Sequence, residues 1–287
     1  MHLSIYKKQL IAIALLLFAY INVIGQDFKK NKDEITAKLE NAYTLDQSVR
    51  KVFDACMSTT GNTGNKCKIE RAAMNTQDSL NQQVVSEILD KYGWLSKKQI
   101  SAKANNAFFY VIQHAPLAYQ AKYAKLIDVA FKNKEISNTE YAFFVDRFQS
   151  KQGMAQIYGT QAEGDNLGNS YLYPIKNWHT VNKSRAQLKI PALDFAKTPE
   201  YNQYPKILEG DSIVLIGHIF DKNNQPIANA QVYLDNTHLG KSNEKGLFII
   251  GLKRPEEGAK ITVKAKDKNN TTSIKGLKDF YSIYMQF

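Results

Sequence analysis

His114 closes the run Tyr110-Val-Ile-Gln-His-Ala115, where an imidazole titrating at about pH 6.5 can take or give a proton at working pH. Two carboxylates are candidates to orient it or to activate water. Asp46 lies four residues before Arg50, so the two share one helix face, while Asp146 precedes Arg147 in a stretch flanked by Phe143, Phe144 and Phe148. Asp78 and Asn81, three apart, share a face of another helix. The string Gln156-Ile-Tyr-Gly-Thr-Gln161 offers amides, a phenol, a hydroxyl and a pliant backbone where a long loop begins. In a catalytic version His114 is the general acid–base, with Asp46 or Asp146 behind it. Arg50, Arg147 or Arg185 then holds an anionic group, and Tyr158 and Gln161 position the rest. Asp78, Gln113 and Gln156 complete the candidate ligand-binding set. Buried charges are costly unless paired and hydrogen-bonded, so such a constellation is either a site or an internal network.

Other chemistries find no support in the sequence. There is no G-x-S-x-G nucleophile elbow, no P-loop and no dinucleotide fingerprint, so no cofactor is expected. Four histidines follow residue 25, none with H-x-H or H-x-x-x-H spacing, and no metal is expected. The two cysteines, Cys56 and Cys67, flank a turn-rich segment and read as a disulfide staple. The formal charge of +11 is spread along the chain and lacks the dense stripe of a nucleic-acid binder.

The elements that must position these groups begin after a leader. Lys7 and Lys8 precede an apolar run from Leu10 to Ile24, with Val23 and Gly25 at the cleavage positions before Gln26. That layout is a secretory signal peptide over 1–25, and the run is short for a spanning helix of roughly 20 apolar residues. The mature chain is therefore expected to be exported, to the periplasm or beyond, without an integral membrane anchor. From about 30 to 200 the apolar spacing is helical. Leu80, Val84, Ile88 and Tyr92, with Val85 and Leu89 beside them, form one broad stripe that Gly93 ends, and further helices are expected over Ala104–Gln113, Leu117–Lys132, Thr139–Gln149 and from Thr180 to Ile190. Ser137 with Glu140 reads as a capping box. Residues 159–178 read as a long irregular loop and 199–210 as a linker. Strands are then expected at Ile213–Phe220, Gln231–Asp235, Gly246–Ile250, Lys260–Lys266 and Ser282–Phe287. The Lys260–Lys266 run alternates lysine and apolar residues as an edge strand does. The predicted fold is thus an α-helical domain over 26–198 followed by a small all-β sandwich over 211–287.

Two resemblances fit this division. Asp46-x-x-x-Arg50, Lys91-Tyr-Gly-Trp94, Gln113-His-Ala115, Asp146-Arg147 and Gln156-x-Tyr-Gly-Thr-Gln161, in that order, resemble an uncharacterised bacterial family, a domain of unknown function, over roughly 30–195. Leu95 departs from the proline usual there. The strings Gly217-His-Ile-Phe-Asp221, Gln225-Pro-Ile-Ala-Asn-Ala-Gln-Val232 and Gly240-Lys-Ser-Asn-Glu-Lys-Gly-Leu-Phe248 resemble the carboxypeptidase regulatory-like, transthyretin-like module. That resemblance implies inward Ile219, Val232 and Phe248, turns at Asp221 and Gly246, and an accessory interaction role. Three functions remain open: an envelope protein binding a small polar or anionic ligand or an envelope component, an extracytoplasmic hydrolase using His114, and a purely structural protein.

Overall fold

The computed structural model describes residues 2–60, 67–164, 170–208 and 210–287, without the side chains of 2–22, 24, 59, 60, 199 and 200. The lysines and most of the apolar run of the expected signal peptide fall outside the described side chains. Six helices come first: α1 (His2–Thr60), α2 (Lys68–Tyr92), α3 (Ala102–His114), α4 (Leu117–Lys132), α5 (Asn138–Lys151) and α6 (Val181–Gln187). Between α5 and α6 lies a hairpin of β1 (Ala162–Gly164) and β2 (Ser170–Leu172), inside the stretch expected to be irregular. Among the described residues no helix is long and apolar enough to cross a membrane.

The chain divides into two compact units, one of residues 1–51, 73–116 and 122–136, the other of 52–72, 117–121 and 137–287. In the first, helical period dictates the core. Ile35, Leu39 and Ala42 form the buried stripe of α1, and Val85, Ile88 and Leu89 that of α2. Val85, Ile88 and Leu89 lie inside as expected, but Leu80 is 50% exposed and Asn81 takes an inside position. Asn81 Oδ1 accepts from Gln77 Nε2 at 2.9 Å, while among the described residues its enclosed Nδ2 finds no acceptor. Gly93 ends the helix at φ +70, its N–H on the Leu89 carbonyl at 2.9 Å.

In the second unit Cys56 and Cys67 form the expected disulfide, with Cα atoms 5.9 Å apart. Such a bond persists in oxidising compartments outside the cytoplasm, which is the environment it hints at. The capping box is present in full: Ser137 Oγ accepts from Glu140 N, and the Glu140 carboxylate accepts from Ser137 N.

The C-terminal strands are β3 (Ser212–Phe220), β4 (Gln231–Leu234), β5 (Thr237–Lys241), β6 (Leu247–Lys253), β7 (Lys260–Ala265), β8 (Lys268–Ser273) and β9 (Phe280–Gln286). They make a three-stranded sheet, β6-β3-β9, and a four-stranded one, β5-β4-β7-β8. Ile213, Leu215, Ile219, Val232, Phe248, Ile261, Val263 and Met285 fill the core they share. Asp221 Oδ1 accepts from the N–H groups of Asn223 and Gln225 and fixes the turn after β3. β7 is not an edge strand: β4 and β8 pair with it on either side, although Lys260 and Lys264 do face solvent. The polar partner, Lys268-Asn-Asn-Thr-Thr-Ser273, carries no apolar alternation to announce it.

β3 is buried on both faces, which is why it reads as an unbroken apolar run. Val214 and Ile216 point away from the sandwich core and pack with Ala155, Ile175, Trp178, Tyr204 and Leu208. The stretch expected to be a linker therefore holds two buried anchors, Tyr204 and Leu208.

Candidate functional site

In the first unit the α1 stripe continues from Ala42 to Asp46, which is 1% exposed. A carboxylate at a core position needs partners, and it has them. Asp46 Oδ1 lies 3.0 Å from Arg50 Nη1 and 3.0 Å from His114 Nδ1, and its Oδ2 accepts from Gln47 Nε2 at 2.7 Å. Arg50 also donates through Nη1 to the Asp46 carbonyl, and its Nη2 meets both oxygens of Asp78 at 2.9 Å. The order His114–Asp46–Arg50–Asp78 thus links α3, α1 and α2. His114 and Arg50 side chains are each 17% exposed and Asp78 14%, so the series runs from a sealed carboxylate to a water-reachable edge. Tyr110 lies against His114, ring centroids 6.1 Å apart, and Gln113 is buried.

In the second unit Asp146 on α5 is fully buried. Its Oδ1 accepts from the N–H groups of Ile157 (2.8 Å) and Tyr158 (3.0 Å), and its Oδ2 from the N–H and hydroxyl of Thr160, both at 2.9 Å. Burial raises the Asp146 carboxyl above its usual range, outweighing these four donors, which favour the charged form. Gln156 is equally committed: its Nε2 donates to the Gln161 and Tyr173 carbonyls and its Oε1 accepts from Gln161 N. Arg185 donates through Nη1 to the Tyr158 carbonyl, and Arg147 Nε to Gln161 Oε1 at 2.8 Å. Gly159 makes the bend, at φ +66, where a Cβ would lie 2.7 Å from Ile175 Cδ1. The Gln156–Gln161 string is therefore a loop wound onto Asp146. Burial, with the Asp146 charge adding to it, pushes the Tyr158 phenol upward.

The sequence candidates accordingly fall into two sets. Asp46, Arg50, Asp78, Gln113 and His114 belong to the first unit, and Asp146, Arg147, Gln156, Tyr158, Gln161 and Arg185 to the second.

A third set escaped sequence reasoning. Glu163 of β1 accepts from Tyr171 of β2 at 2.7 Å, from Ser282 of β9 at 3.2 Å and from the Tyr284 hydroxyl. The Tyr171 hydroxyl is 2.6 Å from Nε2 of His218, a buried residue of β3 whose ring stacks on Tyr284 at 4.6 Å. Burial, then the Glu163 charge, holds the Tyr171 and Tyr173 phenols far above their usual range; for Tyr284, burial leads and its hydrogen bond to Glu163 follows. The signal available beforehand was His218 itself, the one ionisable side chain inside the β3 run. Glu163→Gln is expected to cost about 1–2 kcal/mol, since one oxygen gives way to an amide facing hydroxyl donors in a half-exposed setting. Urea denaturation measures it, and an unchanged midpoint would remove Glu163 from the forces docking the hairpin on the sheet.

The chain is similar to a protein family and, weakly, to a solved structure. The sequence pattern described as "Family of unknown function (DUF6624)" matches residues 34–204. A solved structure of the Caf1A usher C-terminal domain, whose title concerns conserved hydrophobic clusters on its surface that are important for F1 antigen assembly, is weakly similar. It shares 14% identity over 25% of this chain and 93% of its own, at a TM-score of 0.20. No curated protein matches the chain.

Proposed function

This chain belongs to the DUF6624 family, and because that family is of unknown function we propose a role from its own side chains: an exported protein whose helical unit binds a small polar ligand. The ligand-facing groups are His114, Arg50 and Asp78. One observation carries the reading. Asp46, 1% exposed, grips His114 and Arg50 while leaving each 17% exposed, so polar groups are held ready at the surface by a carboxylate that water does not reach. Within the set two carboxylates face one guanidinium, which favours a ligand offering hydroxyl or amine donors over a purely anionic one. The β-sandwich serves as an accessory interaction module, and the periplasm or the cell exterior is the place of action.

The test is thermal shift on the protein lacking residues 1–25, against separate panels of amino sugars, polyols, amino acids, carboxylates and phosphates. A donor-bearing compound at about 100 times its Kd should add about 2.7 kcal/mol to stability, and His114→Ala should abolish that gain. A panel that leaves the wild type unmoved, or a gain that survives His114→Ala, ends this reading.

The 3.0 Å approach of Asp46 Oδ1 to His114 Nδ1 favours a second reading, an extracytoplasmic hydrolase, because a carboxylate at one ring nitrogen is how a general base is oriented. Turnover of envelope-derived substrates that vanishes in His114→Ala would separate enzyme from binder.

A further inference from the structure

Glu70 stands in the first turn of α2, three residues after Cys67, and among the described residues its enclosed Oε2 accepts no hydrogen bond. A desolvated carboxylate oxygen without a donor is costly, and the groups around it ought to explain it. Arg71, the next residue of the helix, is turned to the ring of Phe53, its Cζ 4.7 Å from the centroid. What does face the Glu70 carboxylate is sulfur: one of its oxygens and the Sγ atoms of Cys56 and Cys67 all lie within 4.8 Å of one another. Cys67 is buried, while Cys56 and Glu70 are half-buried.

We propose that the disulfide, once reduced, becomes a binding site for a thiophilic divalent cation such as Zn2+, held by the Cys56 and Cys67 thiolates and the Glu70 carboxylate. Reduction needs a dithiol as electron donor. Its thiolate attacks one sulfur of the pair, the S–S bond breaks, and the donor leaves as a disulfide, having passed two electrons and two protons to the protein. The cation then displaces those two protons as it forms two metal–sulfur bonds of about 2.3 Å. The Cα separation of 5.9 Å needs little change, because rotation about each Cα–Cβ bond can part the sulfurs. Three protein ligands leave a fourth position to water. The position of Cys67 just before α2 assists, because the N–H groups of a helix start favour a thiolate. The bridge is then a cover as well as a staple: oxidised, the site is closed, and reduced, the Glu70 carboxylate gains a cation.

The experiment uses the full chain without residues 1–25, oxidised or reduced under anaerobic conditions, titrated with Zn2+ and, as a spectroscopic probe, with Cd2+. The reduced protein is expected to take up one equivalent with a sulfur-to-cadmium charge-transfer band, and the oxidised protein to show none. Cys67→Ser should abolish the band. Glu70→Gln should weaken Zn2+ binding by about 10- to 100-fold, the loss seen for supporting groups around a metal being of this size. Helical circular dichroism should be kept on reduction, or restored by Zn2+. Uptake that is equal in the oxidised protein, unaffected by Glu70→Gln, or absent from the reduced chain overturns the proposal, as does a reduced protein that zinc cannot refold.

Discussion

Asp146→Ala is expected to destabilise the second unit by about 3–5 kcal/mol, because it strands buried donors and not merely one contact. The N–H groups of Ile157, Tyr158 and Thr160 lose their acceptor together. Urea denaturation should show the loss globally, and amide exchange at those three residues should accelerate more than at the α5 backbone. Asp146→Asn should fall between, since Oδ1 still accepts from Ile157 and Tyr158 while the new amide faces the Thr160 N–H. The pH dependence has a definite sign. Burial lifts the folded-state pKa of Asp146 above the reference value of 3.8. A group lifted in this way contributes stability that is present below the unfolded pKa and lost as pH rises through the folded one. The advantage of wild type over Asp146→Asn should therefore be largest in acid and shrink toward neutrality. An advantage that grows with pH would mean that the four hydrogen bonds outweigh desolvation.

That example shows what a sequence reader can and cannot reach. Asp146 stands out because an acid among Phe143, Phe144 and Phe148 must be inside and must be partnered. Its partners, three N–H groups of one loop and a threonine hydroxyl, carry no sequence signal, since any residue but proline supplies an N–H. Helix existence was legible from the 3.6-residue period and from caps such as Ser137–Glu140. The exact stripe of α2 was not, because Asn81, a polar residue, takes an inside position that Leu80 leaves. β8 was missed for a related reason: Lys268–Ser273 pairs its backbone with β7 while burying almost nothing. Glu163 and Tyr171 face each other across β1 and β2, His218 and Tyr284 across the parallel β3 and β9, and the hydrogen bond from Tyr284 to Glu163 then joins residues 121 positions apart. Within the first unit, by contrast, Asp46 was readable as the partner of Arg50 four residues on, while its place on the buried Ile35–Leu39–Ala42 stripe emerges from the structure.

Asp46→Ala is the companion test in that unit, with an expected cost of about 3–5 kcal/mol, the range for removing one member of a buried charged pair. The Ala variant leaves His114 Nδ1 and Gln47 Nε2 without the carboxylate, and Arg50 with Asp78 and the residue-46 carbonyl. A double-mutant cycle separates the two jobs Asp46 performs. If it orients the imidazole as well as anchoring Arg50, then Asp46→Ala and His114→Ala should be coupled by about 0.5–3 kcal/mol. Arg50→Lys supplies the contrast: the charge remains, but a single ammonium cannot reach the Asp46 carboxylate and carbonyl while meeting both Asp78 oxygens. Strict additivity between Asp46→Ala and His114→Ala, with Arg50→Lys alone as damaging as Asp46→Ala, would reduce Asp46 to an anchor for Arg50. His114 would then be a bystander at a helix end. Substantial coupling would instead make the histidine's orientation something the core pays a buried carboxylate to keep, and a helix end held at that cost is hard to account for unless His114 meets something beyond the protein.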